Sequence, residues 1–163
     1  KLVTTHPSGS YKIEGADAAT FGLVDLPQGY VKLYGRDKNN VYYEGKVIEG
    51  LDGPTVDLVN AFPYVKDKNG VYIKSDNKVQ RLEGADPDDF EIVKNQYHNF
   101  PFMKSGNAIY FWGKRLDGVD ANTFEVIDSK YSKDKNNVYC KPDSKTPYLI
   151  MEDADPETFV SKD

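Results

Sequence analysis

The sequence has one cysteine, Cys140, so no internal disulfide can form. It has two histidines, His6 and His98. A nucleophilic hydrolase needs a base held beside its nucleophile, and neither histidine belongs to a recurring part of this chain. Two histidines and one cysteine also fall short of the usual ligand sets of a structural zinc. No G-x-S-x-G, H-E-x-x-H, G-x-G-x-x-G or P-loop pattern occurs. No apolar run approaches the ~18 residues of a membrane helix. There is no long basic run, and the formal net charge of -5 disfavours nucleic acid or an anionic membrane as the main partner. These deficits predict a protein that is no enzyme, uses no cofactor, binds no nucleic acid and has no membrane span. The chain starts at Lys1 with no initiator Met and no apolar leader, which fits a removed signal segment and an engineered start equally.

What is present is globular in composition: 163 residues, 39% hydrophobic and 29% charged. Aromatics reach 13%, and 12 of them are tyrosines. Tyrosine suits half-buried sheets, because its ring packs while its hydroxyl stays wet.

The strongest signal is periodic. Aspartates recur at Asp17, Asp52, Asp86, Asp120 and Asp155, spaced 35, 34, 34 and 35 residues apart. Four residues after each stands Phe21, Val56, Phe90, Phe124 or Phe159. Asp is a preferred N-cap, and Pro87 and Pro156 follow at the first helical position, where proline fits. Ala16, Leu51, Ala85, Val119 and Ala154 precede the aspartates and can pack on the residue at the fourth helical position as a hydrophobic staple. The block predicts a short helix of about two turns in each unit. Gly15, Gly50, Gly84 and Gly118 sit just before it, where the chain must turn out of a strand; the fifth copy has Asp153 there.

A second ladder lies between the blocks. It runs Tyr34 to Tyr43, Tyr64 to Ile73, Phe102 to Phe111 and Tyr131 to Cys140, three of the four sharing Asp-Lys-Asn. This reads as a β-hairpin. Asp37, Asp67 and Asp134 are placed to cap the turn amides, and Asn40, Gly70 and Asn137 are expected to close the loop in a left-handed conformation. The third copy carries Ser105 and Ala108 instead, so its turn should be weaker or of another type. A second hairpin follows each, with short turns at Glu44-Gly45-Lys46 and Trp112-Gly113-Lys114. Longer ones run through Ser75 to Lys78 and Lys141 to Pro147, and the truncated first unit turns at His6 to Ser10.

The run Asp37-Lys-Asn-Asn-Val-Tyr-Tyr43 resembles the signature of the bacterial DKNYY repeat family. The segments Glu83-Gly84-Ala85-Asp86-Pro87 and Ala154 to Phe159 are similar to the same repeat, and the likeness spans about Tyr11 to Phe159. The resemblance implies a bacterial protein. Export to the periplasm, the cell surface or the medium is favoured over the cytoplasm. It carries no catalytic residues over.

The candidate chemistries each have a plainer reading. Ser75-x-x-Lys78 and Ser132-x-x-Lys135 match S-x-x-K, but in hairpins rather than at a helix start. Cys140 takes the place of Tyr43, Ile73 and Phe111, which makes it a packing position before a reactive thiol. An EF-hand counted from Asp37 fails, because its fifth and twelfth places hold Val41 and Ile48. The Asp86, Asp88 and Asp89 cluster reads as complementing a helix N-terminus. Tyr42, Tyr72, Tyr110 and Tyr139 form a uniform row on the strand face opposite Tyr43, Ile73, Phe111 and Cys140. The mixed, largely apolar row is expected to face the core. The tyrosine row is either repeated packing or a glycan or protein contact surface. Trp112, in a short turn, is either a contact anchor or packed on its neighbour.

The expected architecture is mainly β (α+β): tandem units of about 34 residues, each of antiparallel hairpins followed by a short helix, stacked as one repeat domain over 1–163. The units are 1–25 (partial), 26–60, 61–94, 95–128 and 129–163. The expected function is a non-enzymatic binding or structural module of the bacterial cell envelope, with a protein partner. A carbohydrate-binding module using Trp112, Tyr42, Tyr72, Tyr110 and Tyr139, an inhibitor or immunity-type protein, and a hydrolase with an unrecognised carboxylate pair stand as alternatives. No metal site is expected.

Overall fold

The computed structural model describes residues 3–6, 9–24, 34–59, 63–75, 78–93, 102–141 and 148–161. The chain divides into two compact units, Lys1–Asp88 and Asp89–Asp163. In the first, β1 (Val3–His6) pairs with β2 (Gly9–Lys12). There follow the four-stranded sheet β3 (Gly22–Leu23), β4 (Tyr34–Arg36), β5 (Val41–Tyr43) and β6 (Lys46–Ile48), and the three-stranded sheet β7 (Tyr64–Asp67), β8 (Gly70–Ser75) and β9 (Lys78–Arg81). The second unit holds two four-stranded sheets. One is β10 (Glu91–Ile92), β11 (Phe102–Ser105), β12 (Ala108–Phe111) and β13 (Lys114–Leu116). The other is β14 (Glu125–Val126), β15 (Tyr131–Lys133), β16 (Val138–Cys140) and β17 (Leu149–Ile150). Every sheet is antiparallel and in sequence order, so neighbours along the chain are neighbours in space. No helix among the described residues is long and apolar enough to cross a membrane.

The expected α+β class is corrected to all-β, because the short helix of each unit is not formed. Each aspartate opens a single turn instead. Thr20 N and Phe21 N donate to Asp17 O at 3.3 and 3.0 Å, and Thr158 N and Phe159 N repeat this on Asp155 O. At Asp52 the turn is one 3-10 turn, Gly53–Thr55, with Pro54 inside it. At four of the five the reason lies in the next residue. Gly22, Asp57, Glu91 and Glu125 stand five beyond their aspartates and already pair with Arg36, Lys66, Lys104 and Lys133. A second helical turn would need backbone groups that the sheet has taken.

A second correction concerns the hairpin loops. Asn40, Gly70 and Asn137 are not left-handed; these turns are closed by side-chain bonds. The third hairpin is of a different type. Gly106 has φ +55 between the paired Ser105 and Ala108, the first-position glycine of a type II′ turn.

Both faces of each hairpin are covered. Val41, Val71, Ile109 and Val138 are 0% exposed on one face, while Tyr42, Tyr72, Tyr110 and Tyr139 are 1% to 7% exposed on the other. The mixed row is the shallower one: Tyr43, Ile73 and Cys140 are only half-buried. In the first unit Val41, Ile48, Leu51 and Val56 join Val65 and Tyr72 in one core. In the second, Phe102, Ile109, Phe111, Val119 and Phe124 do so with Tyr139. Three turn residues pack on the ladder tyrosine of the hairpin that follows: Phe21 on Tyr42 at 5.8 Å, Phe90 on Tyr110 at 6.0 Å, Phe124 on Tyr139 at 6.3 Å.

The turns approach the preceding hairpins closely. A Cβ on Gly53 would run into the Asp37 carbonyl oxygen and sit 2.9 Å from that of Asn40. Gly53→Ala is expected to lower stability by about 1–3 kcal/mol through overpacking, measurable as a lower urea midpoint at unchanged m-value. Ser132 tests the opposite case, since its hydroxyl is fully buried without a hydrogen-bond partner. Ser132→Ala is expected to stabilise by roughly 1 kcal/mol in the same assay.

Candidate functional site

The recurring polar residues converge on one point in each unit. Asp37, 3% exposed, accepts the amides of Asn39 and Asn40 on Oδ1, both at 2.8 Å. Its Oδ2 accepts the Tyr42 hydroxyl at 2.7 Å and the Asp17 amide at 2.8 Å. Asp134 repeats this with Asn136, Asn137, Tyr139 and Asp120, and Asp67 with Asn69, Gly70, Tyr72 and Asp52. One carboxylate therefore ties the hairpin turn, the ladder tyrosine and the aspartate turn together. Burial alone would raise the Asp37 carboxyl. The amides of Asp17, Asn39 and Asn40 and the Tyr42 hydroxyl outweigh it and bring it down to about 2. Burial, then the bond to Asp134, pushes Tyr139 up to about 12.

The aspartate turn is bound by three further contacts. Lys38, Lys68 and Lys135 pair with Asp17, Asp52 and Asp120 at 2.7, 2.8 and 2.8 Å. Their backbone amides donate to Thr20, Thr55 and Thr123, the residue three beyond each aspartate. Last, the cation at the end of each first hairpin strand reaches forward to the next turn. Arg36 donates to Pro54 O, Lys66 to Pro87 O, Lys104 to Asn122 Oδ1 and Lys133 to Pro156 O, at 2.9, 2.7, 3.3 and 2.9 Å. The sequence reading missed the threonines and these cations, although Thr20, Thr55, Thr123 and Thr158 keep a constant offset from the aspartates.

The third copy keeps the charge and moves its carrier. Ser105 stands where the others have Asp, and Asp89 where they have Thr. The Ser105 hydroxyl donates to Asp89 Oδ1 in a short bond, and the Gly106 amide donates to Asp89 Oδ2 at 2.7 Å. The carboxylate has crossed to the opposite side of the same joint. Asp89, read from sequence as part of a helix-end cluster, is a hairpin fastener.

The profile of the DKNYY family matches residues 5–143. The chain belongs to the DKNYY family. No match was found among curated proteins or among solved structures. In this DKNYY chain the run Asp37 to Tyr43 is the joint itself: the carboxylate, the lysine of the ion pair, the turn amides and the bonded tyrosine.

The sequence-named residues fall into two groups. Tyr42, Tyr72, Tyr110 and Tyr139 lie inside, with the hydroxyls of Tyr42, Tyr72 and Tyr139 on aspartates. Trp112 lies outside, 50% exposed. It forms, with Gly113, the two-residue loop between the paired Phe111 and Lys114. Both residues have positive φ, +48 and +77, as a type I′ turn requires. Glu44 and Gly45 do the same at +49 and +78. Tryptophan is a costly choice for a left-handed position, where Asn, Asp and Gly fit best. Behind it, Phe111 contacts Tyr148 at 5.1 Å and the Lys141 ammonium at 4.5 Å from its ring, a rigid seat for the indole.

The catalytic matches do not assemble. Ser132 is sealed in β15 while Lys135 is held by Asp120, and Ser75 and Lys78 are paired strand residues. His6 lies in β1; His98, residues 76–77 and residues 142–147 lie outside the described residues. Cys140 is half-buried in β16.

Two predictions follow from the joint. Asp37 has its folded-state pKa depressed, so its stabilisation is present above pH ~4 and is lost as pH falls towards ~2. Asp37→Asn is expected to be less stable at pH 7 and to show a flatter loss between pH 4 and 2, read by urea unfolding at several pH values. In the third copy, Ser105→Asp alone sets two carboxylates together and Asp89→Thr alone removes the charge, so each destabilises. The double variant is expected to recover about 1–3 kcal/mol relative to additivity in a double-mutant cycle.

Proposed function

We propose that this DKNYY chain is a non-enzymatic binding module of the bacterial cell envelope that takes a protein partner, with the Trp112 turn as the anchor. The carrying observation is Trp112 itself: half-exposed, seated on Phe111, and kept at φ +48 where most residues would be relaxed elsewhere. Strain of roughly 1–3 kcal/mol held at an exposed aromatic is a mark of functional use, and tryptophan is the side chain most enriched among binding hot spots. The non-enzymatic part rests on where the charges go. The hairpin carboxylates and the lysines that follow them accept and donate within the fold, which gives these recurring charges a structural use. A glycan is the competing ligand, and it would have to be held by Trp112 without the buried tyrosines.

The test is a capture experiment from a native envelope fraction with wild type and Trp112→Ala, beside a glycan array. A protein held by wild type and lost by the variant supports the proposal; glycan binding lost in the variant replaces it with the carbohydrate reading. Trp112→Gly is expected to raise stability by about 1 kcal/mol while abolishing capture, because glycine relaxes the left-handed position. Unchanged capture by Trp112→Gly would falsify the assignment of the anchor.

A further inference from the structure

The sheet β10 to β13 carries side chains that the joint does not consume. At the end of β13 and in the turn that follows, Arg115, Asp117, Gly118 and Asp120 line a cleft of about 350 Å³. Asn107 and Asn136, from two successive hairpin turns, line it with them. Asp120 is spent, because Lys135 and the amides of Asn122 and Thr123 take its carboxylate. The other polar side chains are not. Among the described residues, those of Asn107, Arg115, Asp117 and Asn136 hold no hydrogen bond or ion pair. Gly118 turns the chain here at φ +76, and nothing stands within 4 Å of the place a Cβ would take.

Arg115 is available because of one methyl group. Arg81 and Arg115 hold the same register, each paired with a ladder tyrosine, Tyr72 or Tyr110. Arg81 lies back over its own hairpin turn: a Cβ on Gly70 would stand 2.8 Å from its Nε. In the third hairpin the place of Gly70 is taken by Ala108, which is buried and pairs with Ser105 as Gly70 pairs with Asp67. Its methyl fills the space that Arg81 uses, so Arg115 has no such seat. The same register holds Val47 in the first four-stranded sheet and Ile150 in the last. An arginine and its release from the hairpin turn therefore coincide at this one cleft.

We propose that the cleft is a binding site for a neutral sugar of one or two rings, held by Asn107, Arg115, Asp117 and Asn136. The balance of charge selects the ligand. Arg115 donates, Asp117 accepts, and each carboxamide does both. An anion would meet the Asp117 carboxylate, and a cation would meet the Arg115 guanidinium. Adjacent sugar hydroxyls are uncharged and each donates and accepts, so they serve all four groups at once. The volume lies at the small end of ligand sites, which suits so small an occupant. Among the described residues no aromatic ring lines the cleft, so binding rests on hydrogen bonds and a Kd of about 1 mM is expected. The site is independent of the Trp112 turn.

The test is a titration of 15N-labelled protein followed by NMR. The probes are maltose, cellobiose, lactose and N,N′-diacetylchitobiose, with inorganic phosphate and acetate as anionic controls. Shifts of the Asn107, Gly118 and Asn136 amides are expected with at least one sugar and with neither anion. Arg115→Ala is expected to lower the affinity for that sugar about tenfold or more, the loss of one charge-assisted donor. Ala108→Gly, which gives the guanidinium the seat that Arg81 has, is expected to lower it as well. Spectra unchanged away from the cleft show that each variant is folded. No shift with any of the four sugars, shifts driven by phosphate or acetate, or a sugar affinity unchanged in either variant would overturn the proposal. Trp112→Ala should bind the sugar as wild type does, so failure here is separable from failure of the Trp112 anchor.

Discussion

The fold depends on where one buried negative charge sits. Strands of two to six residues cannot hold a sheet by ladder bonds alone, and two-stranded ribbons are marginal in water. The Asp37 carboxylate supplies what the strands lack. It satisfies two amides inside the hairpin, a phenol on the buried tyrosine face and an amide of the separate aspartate turn. Desolvating a carboxylate costs several kcal/mol. Four donors offset that, which is why the group stays ionised well below its ordinary range. Removing it takes the acceptor from four donors at once, the buried Tyr42 hydroxyl among them, so the interaction behaves as one unit rather than as four bonds.

The third copy shows that the constraint is on charge position and not on residue identity. Ser105 and Asp89 exchange the hydroxyl and the carboxylate across the joint, and the hairpin amide still finds an anion at 2.7 Å. The exchange has consequences nearby. Lys38, Lys68 and Lys135 give way to Gly106, which takes the positive φ that lets the chain turn without the Asp-Lys-Asn geometry. A hydrogen-bond demand, a charge and a backbone conformation change together, as linked sites must when a buried polar group has no alternative partner.

This logic separates what the sequence reveals from what it hides. The hairpins and the capping aspartates are legible because each is written in residues within ten of one another, and the period because both blocks recur at a near-constant spacing. The helix expectation fails because Asp, Pro and an aromatic four residues on are equally suited to one turn and to two. What decides is the residue after Phe21 or Phe124, whose backbone pairs with Arg36 or Lys133 up to fourteen residues away. That pairing leaves no local mark. The tyrosine row shows the same limit. Its uniformity signals a constraint, but the constraint is a phenol bonded to a buried carboxylate five residues back, which alternation alone assigns to neither face. The left-handed residues were misplaced for a related reason: Asp37 and Asp134 close their loops with side-chain bonds, so Asn40 and Asn137 have no need of positive φ.

The same accounting bears on function. Positions that recur are consumed by the joint, so any property peculiar to this chain has to come from positions that do not recur. The second turn of each unit is such a place: Glu44 and Trp112 share a backbone conformation and differ in everything else. The positive φ is imposed by the two-residue loop and the strand register, and Gly45 and Gly113 relieve only the second residue of each pair. The first residue is left to bear strain that Asn or Gly would remove. In the first unit a glutamate stands there; in the second a tryptophan adds exposed apolar area to that strain, over a ring already held by Tyr148 and Lys141. Two local rules are broken at one residue, whose ring contact inside the fold is with Phe111, and the proposed anchor role is the reading that accounts for both.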